Sequence, residues 1–326
     1  MHDKVTVGRI DEARQVLKAP DVSSDRLDHS LGKYVCPVPH EKLAFAGFLR
    51  AWPMYDEGAG HRDKKLGIVS AMRRSAPHAE RVAAAVAAEV AGWREADSAR
   101  IVRLNDTWQA GFMGLSQQDY DAVSEQFGLV TAFFANRSNL FPFDEANGAI
   151  DAMRRFWEPE RFIPGSLLAE CAALGLARDT TIGLVVDARP SVARALEALF
   201  HSRLTWPAEL VRSIAPRVAA ERILLEHPPF GSINRLRIDE AGRPASELSV
   251  DIVLCNRDGE AGRGSTGLTF GFGRHGCPAG DPVTSLLAAV WQATVEGWPE
   301  AAATYEFTSV PGRHGTVRIE RQHFVL

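Results

Sequence analysis

Residues 270–280 read FGFGRHGCPAG, and a run with helical patterning, VTSLLAAVWQATVEGW, follows at once. No other stretch restricts the fold as much. Glycines at 271 and 273 let the backbone turn sharply and run close to a flat ligand. Cys277 then arrives near the start of a helix, where free N–H groups and the dipole favour a thiolate. Pro278 suits the first helical turn, where its missing N–H is not needed. An aromatic residue, two permissive glycines, a basic residue and one cysteine at these offsets suit the presentation of a single thiolate to a flat, anionic iron cofactor. The bland alternative is a buried free cysteine behind a glycine-rich turn, because free cysteines commonly behave as small hydrophobes.

Composition narrows the surroundings of that loop. The chain has 326 residues, 45% of them hydrophobic, enough for a large core. A formal charge of −4 gives no basic field of the kind nucleic acid requires. Cys36, Cys171, Cys255 and Cys277 are scattered and form no CxxC pair. A reducing compartment fits better than a disulfide framework. The opening MHDKVTVGRIDEA lacks an apolar signal core. No window reaches the roughly 18 apolar residues of a membrane span. The expectation is a soluble, cytoplasmic protein with neither nucleic acid nor membrane as partner.

Patterning along the chain predicts mostly helix with small β elements late in sequence. VTVGRIDEARQVLKAPD reads as a short strand and an amphipathic helix. GHRDKKLGIVSAMRRS reads as a basic helix, and APHAERVAAAVAAEVAGWREA as a second, alanine-rich one. DYDAVSEQFGLVTAFFANRS, ANGAIDAMRRFW and PRVAAERILLEHPP are also helical in pattern. TTIGLVVDARPSVARALEALFHSRL is the longest candidate helix, with its pattern broken at Pro190. INRLRIDEAGRPASELSVDIVLCNRDG alternates strand-like runs about a Gly-Arg-Pro turn. TYEFTSVPGRHGTVRIERQHFVL reads as a hairpin turning at Pro311-Gly312. The fold class expected is α+β, mainly α with small β-sheets, as one domain over residues 1–326.

FGFGRHGCPAG resembles the heme-binding loop of the cytochrome P450 family, FxxGxxxCxG. Phe270, Gly273 and Cys277 fall on its fixed positions, and Ala279 replaces the last glycine. The resemblance runs in order from near Val5 to the C-terminus. It implies a P450-like fold with heme b (iron protoporphyrin IX) as cofactor and Cys277 as the iron ligand. Gly271 adds backbone freedom within the loop. WPMYDEGAGHRDKK resembles the segment in which a histidine and a cation one turn later bind the heme propionates, here His61 and Lys65. HPPFGSINRLRI likewise implies a propionate contact for Arg235, and His275 falls on a further propionate-binding position. Arg274 reads as a surface residue or one that supports those contacts from behind. On the residues alone, His61 and Lys65 also fit a solvated basic face, and Arg235 an exposed strand arginine.

Several departures mark a reduced member. The K-helix ExxR positions hold Arg222 and Leu225, so that ion pair is absent, and the adjacent Glu221 faces elsewhere. The approach from Asn256-Arg257-Asp258 to Phe270 is short, which implies truncation in the meander. The chain opens about where the family's first strands end, which implies truncation at the N-terminus. In the long helix, Asp187-Ala188 fall on the (A/G)G pair, Pro190 on the acid and Ser191 on the alcohol. Arg189-Pro190 resembles the Arg-Pro of peroxide-using members, one position early. The alternative for Arg189 is an inter-helix residue with no pocket contact.

An axial thiolate favours O–O cleavage. The resemblance therefore implies a monooxygenase or peroxygenase acting on a small organic substrate in specialised metabolism. Its oxidising equivalents come from dioxygen with a ferredoxin-type redox partner or from hydrogen peroxide. The catalytic candidates are Asp187, Arg189, Pro190 and Ser191. A non-catalytic scaffold or activator of a partner enzyme is the second reading. A zinc site from His275 and Cys277 lacks the paired ligand spacing of structural zinc. The phenylalanines of FGLVTAFFANRSNLFPF suggest an apolar or aromatic ligand, or simply core.

Overall fold

The computed structural model describes residues 4–36, 38–93, 96–135, 138–258, 266–298, 303–309 and 317–324. Strand β1 (Lys4–Val7) leads to helix α1 (Ile10–Val16), strand β2 (Val22–Ser23) and helices α2 (Leu27–Leu31) and α3 (Ala44–Arg50). The helical body continues with α4 (Gly58–Ala91), α5 (Ser98–Met113), α6 (Gln117–Ala135), α7 (Phe143–Arg155) and α8 (Leu167–Ala173). Then come α9 (Arg178–Thr205), α10 (Ala208–Ser213) and α11 (Pro216–Glu226). Strands β3 (Ser232–Ile238) and β4 (Pro244–Asp251) precede α12 (Ile252–Asp258) and α13 (Gly280–Gly297). A hairpin of β5 (Ala303–Ser309) and β6 (Val317–Phe324) ends the described chain.

The proline positions correct the sequence reading. The basic and alanine-rich stretches form one 34-residue helix, α4, through Pro77. It exceeds the 28-residue α9, which patterning ranks longest. Pro77 points to solvent, while Ile68, Ala71, Met72, Ala79, Ala83, Val86 and Val90 form a buried stripe. That stripe packs mainly on α13, and burial of this kind outweighs the cost of about 3 kcal/mol for a mid-helix proline. Likewise α9 runs unbroken through Pro190. There the Ser191 hydroxyl donates to Ala188 O at 2.8 Å and Asn105 Nδ2 donates to Arg189 O at 3.2 Å. The segment IVLCNRD, expected to continue a strand, is helix α12. Pro278 lies ahead of the α13 N-cap, Ala279, and not in its first turn. Pro311-Gly312 lie outside the described residues.

The main sheet has the order β1-β4-β3-β2, with β1 parallel to β4 and the other pairs antiparallel. Ser23 pairs with Leu236, which sets the β2 end beside Arg235. A helical core holds Trp52, Trp108, Trp291, Phe45, Phe48, Phe112 and Phe200. A smaller cluster of Val7, Ile10, Ala13, Leu17, Val250, Ile252, Cys255 and Leu268 joins α1 and α12 to the sheet. The thiolate loop crosses between these two cores.

Candidate active site

Backbone hydrogen bonds shape the loop that carries Cys277. Gly271 and Gly273 adopt φ of +72° and +69°, a region that other residues rarely enter. Gly271 N donates to Leu268 O at 2.8 Å, and Cys277 N donates to Phe270 O at 2.6 Å. The Phe270 ring lies against Gly280 at the start of α13. Ala279 N points at Cys277 Sγ across 3.4 Å, so the loop aims a helix-entry amide at the sulfur.

Cys277 and Asp187 share a combination found at cleft walls. Water reaches both side chains, yet both are strongly desolvated. Desolvation pushes the Cys277 thiol up to about 11, the Ala279 amide pulls it down, Asp187 raises it and Lys65 lowers it. Desolvation alone raises the Asp187 carboxyl to about 6. Asp187 lies close enough to Cys277 for its charge to raise the thiol. Its neighbour Tyr55 is buried, with its phenol pushed up by burial and by Asp187. One turn earlier on that face of α9, Gly183 leaves room for the Trp52 indole, which a Cβ would meet at 2.5 Å.

The expected propionate ligands converge on the loop from three elements. His61 is buried near the start of α4, with ring nitrogens 2.8 Å from Pro53 O and 2.9 Å from Arg274 O. Lys65, one turn on, donates to Gly273 O at 3.3 Å and also to Arg274 O. Desolvation lowers its ammonium, and Cys277 opposes that shift. The His61 and His275 rings lie 4.1 Å apart. Arg235 on β3 donates only to the carbonyl of its neighbour Asn234, at 2.8 Å. Among the described residues it has no ion pair, and desolvation lowers its guanidinium to about 10 although Glu57 raises it. A half-buried, desolvated cation with no ion pair among the described residues is what a ligand carboxylate would complete.

Sequence reasoning missed Glu57. Its Oε1 accepts from Ser24 N at 2.8 Å, Ser24 Oγ at 2.9 Å and Ser23 Oγ at 3.1 Å. His275 Nε2 lies 3.5 Å from Oε1, and Arg274 Nε 3.4 Å from Oε2. Burial disfavours its charge, but the His275 and Ser24 contacts win and hold the carboxyl well below the usual range. Arg274, expected at the surface, is exposed and donates to Val22 O at 2.7 Å. Only the preceding Asp56 and the position before a helix marked Glu57 in the sequence, and neither signals an anion among cations.

Two further candidates bond to groups of the protein. Arg189 is directed at α5, where it forms a bidentate pair with Asp106, the arrangement its inter-helix alternative describes. Ser191 turns its hydroxyl onto Ala188 O, inside its own helix. The phenylalanines of the α6–α7 region mostly pack on one another: Phe133, Phe141 and Phe143 are buried around Phe45 and Tyr34. Phe134 alone of that group is exposed, and it stacks on Tyr55 with centroids 6.4 Å apart. Among the described residues no three His, Cys, Asp or Glu side chains gather as a metal site. A separate concavity of about 500 Å³, lined by Glu89, Trp93, Asp97, Arg100 and Arg103, holds none of these groups. No described helix is long and apolar enough to cross a membrane.

Solved structures share this architecture. The chain superposes on P450BioI, solved in complex with an acyl carrier protein carrying hexadec-9Z-enoic acid, with a TM-score of 0.73 and 16% identity over 98% of this chain and 91% of that one. CYP164A2 of Mycobacterium smegmatis gives 0.71 and 15%, over 99% and 91%. CYP109B1 of Bacillus subtilis gives 0.69 and 14%, over 98% and 93%. No protein-family model and no curated protein matches the chain.

Proposed function

The chain has the cytochrome P450 fold, and on that premise we propose that it is a heme-thiolate oxidoreductase, one domain over residues 1–326. Cys277 would ligate the iron of heme b. Arg235, supported by His275, His61 and Lys65, would hold the propionates. The observation that carries this reading is the pairing of a solvent-reached thiol on a helix-entry loop with a desolvated arginine that has no ion pair among the described residues. When bound, the cofactor supplies oxygen-transfer chemistry, which an axial thiolate promotes.

The chain's own residues then define the reaction. Lys65 and the Ala279 amide pull the Cys277 thiol down, against the desolvation and the Asp187 charge that raise it to about 11. Trp52, Tyr55 and Phe134 give the distal side an apolar and aromatic lining suited to a small organic substrate. Asp187 supplies an acid near Cys277, with a carboxyl raised to about 6 that can take or give a proton near neutral pH. Ser191 is turned away and Pro190 has no acidic group, so of the α9 candidates Asp187 is the acid left for proton delivery. Hydrogen peroxide needs only one such group. The overall balance is R–H plus hydrogen peroxide giving R–OH plus water, with Asp187 taking a proton from the peroxide and returning it to the departing water.

The test is heme titration into the purified protein, followed by the ferrous–CO spectrum. A red-shifted Soret band of thiolate type, lost in Cys277→Ser, supports the ligand. Absence of heme uptake overturns the reading. Turnover with peroxide alone supports the oxidant, whereas activity confined to NAD(P)H with a ferredoxin system overturns that part.

A further inference from the structure

Asn256 and Thr269 tie the end of α11 to the entrance of the thiolate loop. The last carbonyls of a helix lack intrahelical partners. In α11, Leu224 O accepts from Thr269 Oγ1 at 2.7 Å, and Leu225 O accepts from Asn256 Nδ2 at 3.1 Å. Asn256 Nδ2 also reaches Thr269 Oγ1 at 3.3 Å. On its other side, Asn256 Oδ1 accepts from Leu268 N at 2.9 Å. The hydroxyl donates once and accepts once, and the amide uses both its oxygen and its nitrogen. Asn256 is 5% exposed, Thr269 7% and Leu268 0%. Gly267, at φ +60°, is required for the close approach, since a Cβ there would lie 2.2 Å from Asn256 Oδ1.

From this point rigidity passes to the sulfur in two steps. Thr269 is bonded to Phe270, whose carbonyl accepts from Cys277 N at 2.6 Å. Among the described residues no ion pair of α11 reaches this loop segment. Arg222 pairs with Glu226 at 2.7 Å over the Trp206 ring, and Arg217 pairs with Glu221 and Asp281. Leu225 offers only its carbonyl to the loop and an apolar side chain to Gly267. A neutral network also avoids the desolvation that a buried ion pair would incur.

We propose that Asn256 and Thr269 are positioning residues: a neutral clasp that fixes the thiolate loop to α11 and so holds the Cys277 sulfur in place. The role as thiolate positioner rests on the proposed ligation, whereas the clasp itself is a property of the protein alone.

The test uses Asn256→Asp, which keeps an acceptor for Leu268 N but cannot donate to Leu225 O, and Thr269→Val, which removes only the hydroxyl. In heme-free protein, modification of Cys277 by a thiol reagent, followed on its own peptide by mass spectrometry, should rise about five- to tenfold in both. Asp106→Asn, which weakens the α5–α9 pair and leaves the clasp hydrogen bonds in place, should modify Cys277 at the wild-type rate. In heme-loaded protein both clasp variants should lose the thiolate-type CO band at denaturant concentrations where the wild type keeps it. Wild-type modification rates in both clasp variants overturn the clasp, as does an equal rise in Asp106→Asn. A wild type that takes up no heme overturns the proposed function, while the modification rates still decide whether the clasp exists.

Discussion

Arg189 donates Nε and Nη2 to the two carboxylate oxygens of Asp106, at 2.9 and 2.8 Å. The pair joins α9 to α5 beside Pro190, with Asp106 14% exposed. Tyr120 Oη adds a contact to Gln109 Oε1 at 2.7 Å in the same polar layer. The arginine is therefore a brace between helices. Arg189→Met should lower the unfolding free energy by about 1–3 kcal/mol, measured by denaturant titration. It should leave peroxide-driven turnover per bound heme unchanged. Collapse of turnover at full stability would put the side chain back at the pocket.

Asp187→Asn should cut peroxide-driven turnover by about 10²- to 10⁴-fold while the thiolate-type CO band stays. The pH dependence follows from its raised carboxyl. Activity that needs the carboxylate should rise as pH passes upward through about 6. Stability runs the other way. A group with a raised folded pKa contributes fully below its unfolded value, and the contribution is lost as pH rises through about 6. Unfolding of heme-free protein at pH 4 and pH 7 should show this loss in the wild type and not in Asp187→Asn.

Glu57 has the opposite sign. Its folded carboxyl lies below the ordinary range, so its stabilisation is present above the unfolded value and disappears as pH falls. Glu57→Gln should flatten the acid limb of the stability curve of heme-free protein. Its deficit against wild type should be largest at neutral pH and shrink below about pH 4. A constant deficit across that range would mean that only packing was lost.

Arg235→Met separates a ligand cation from a structural one. Removing a desolvated guanidinium with no ion pair among the described residues should leave heme-free stability unchanged or raise it. Heme affinity, from titration monitored by absorbance, should fall about tenfold or more. A stability loss with unchanged affinity would make Arg235 a structural residue.

Much of this molecule was legible from local pattern, because local pattern carries the constraints of turns and helix entries. FGFGRHGCPAG predicted glycines that turn the backbone sharply, a cysteine at a helix entrance and a helix after it; the glycines adopt left-handed φ, and α13 follows. His61 and Lys65, one turn apart, do reach the loop together. Pattern failed where packing outweighs propensity. Pro77 and Pro190 read as breaks, but buried faces on both sides keep α4 and α9 continuous. Proximity across the chain was beyond its reach. Nothing in sequence separates an arginine that faces a pocket from one that braces Asp106 eighty-three positions away. Nor does it mark Glu57 as the anion beside His275, or Asn256 as the side chain that grips Leu225. The sequence alone determined which chemical groups the site can use, since a thiol and its turn are local. Tertiary structure decided which of them meet, because desolvation and pairing depend on neighbours brought together from distant segments.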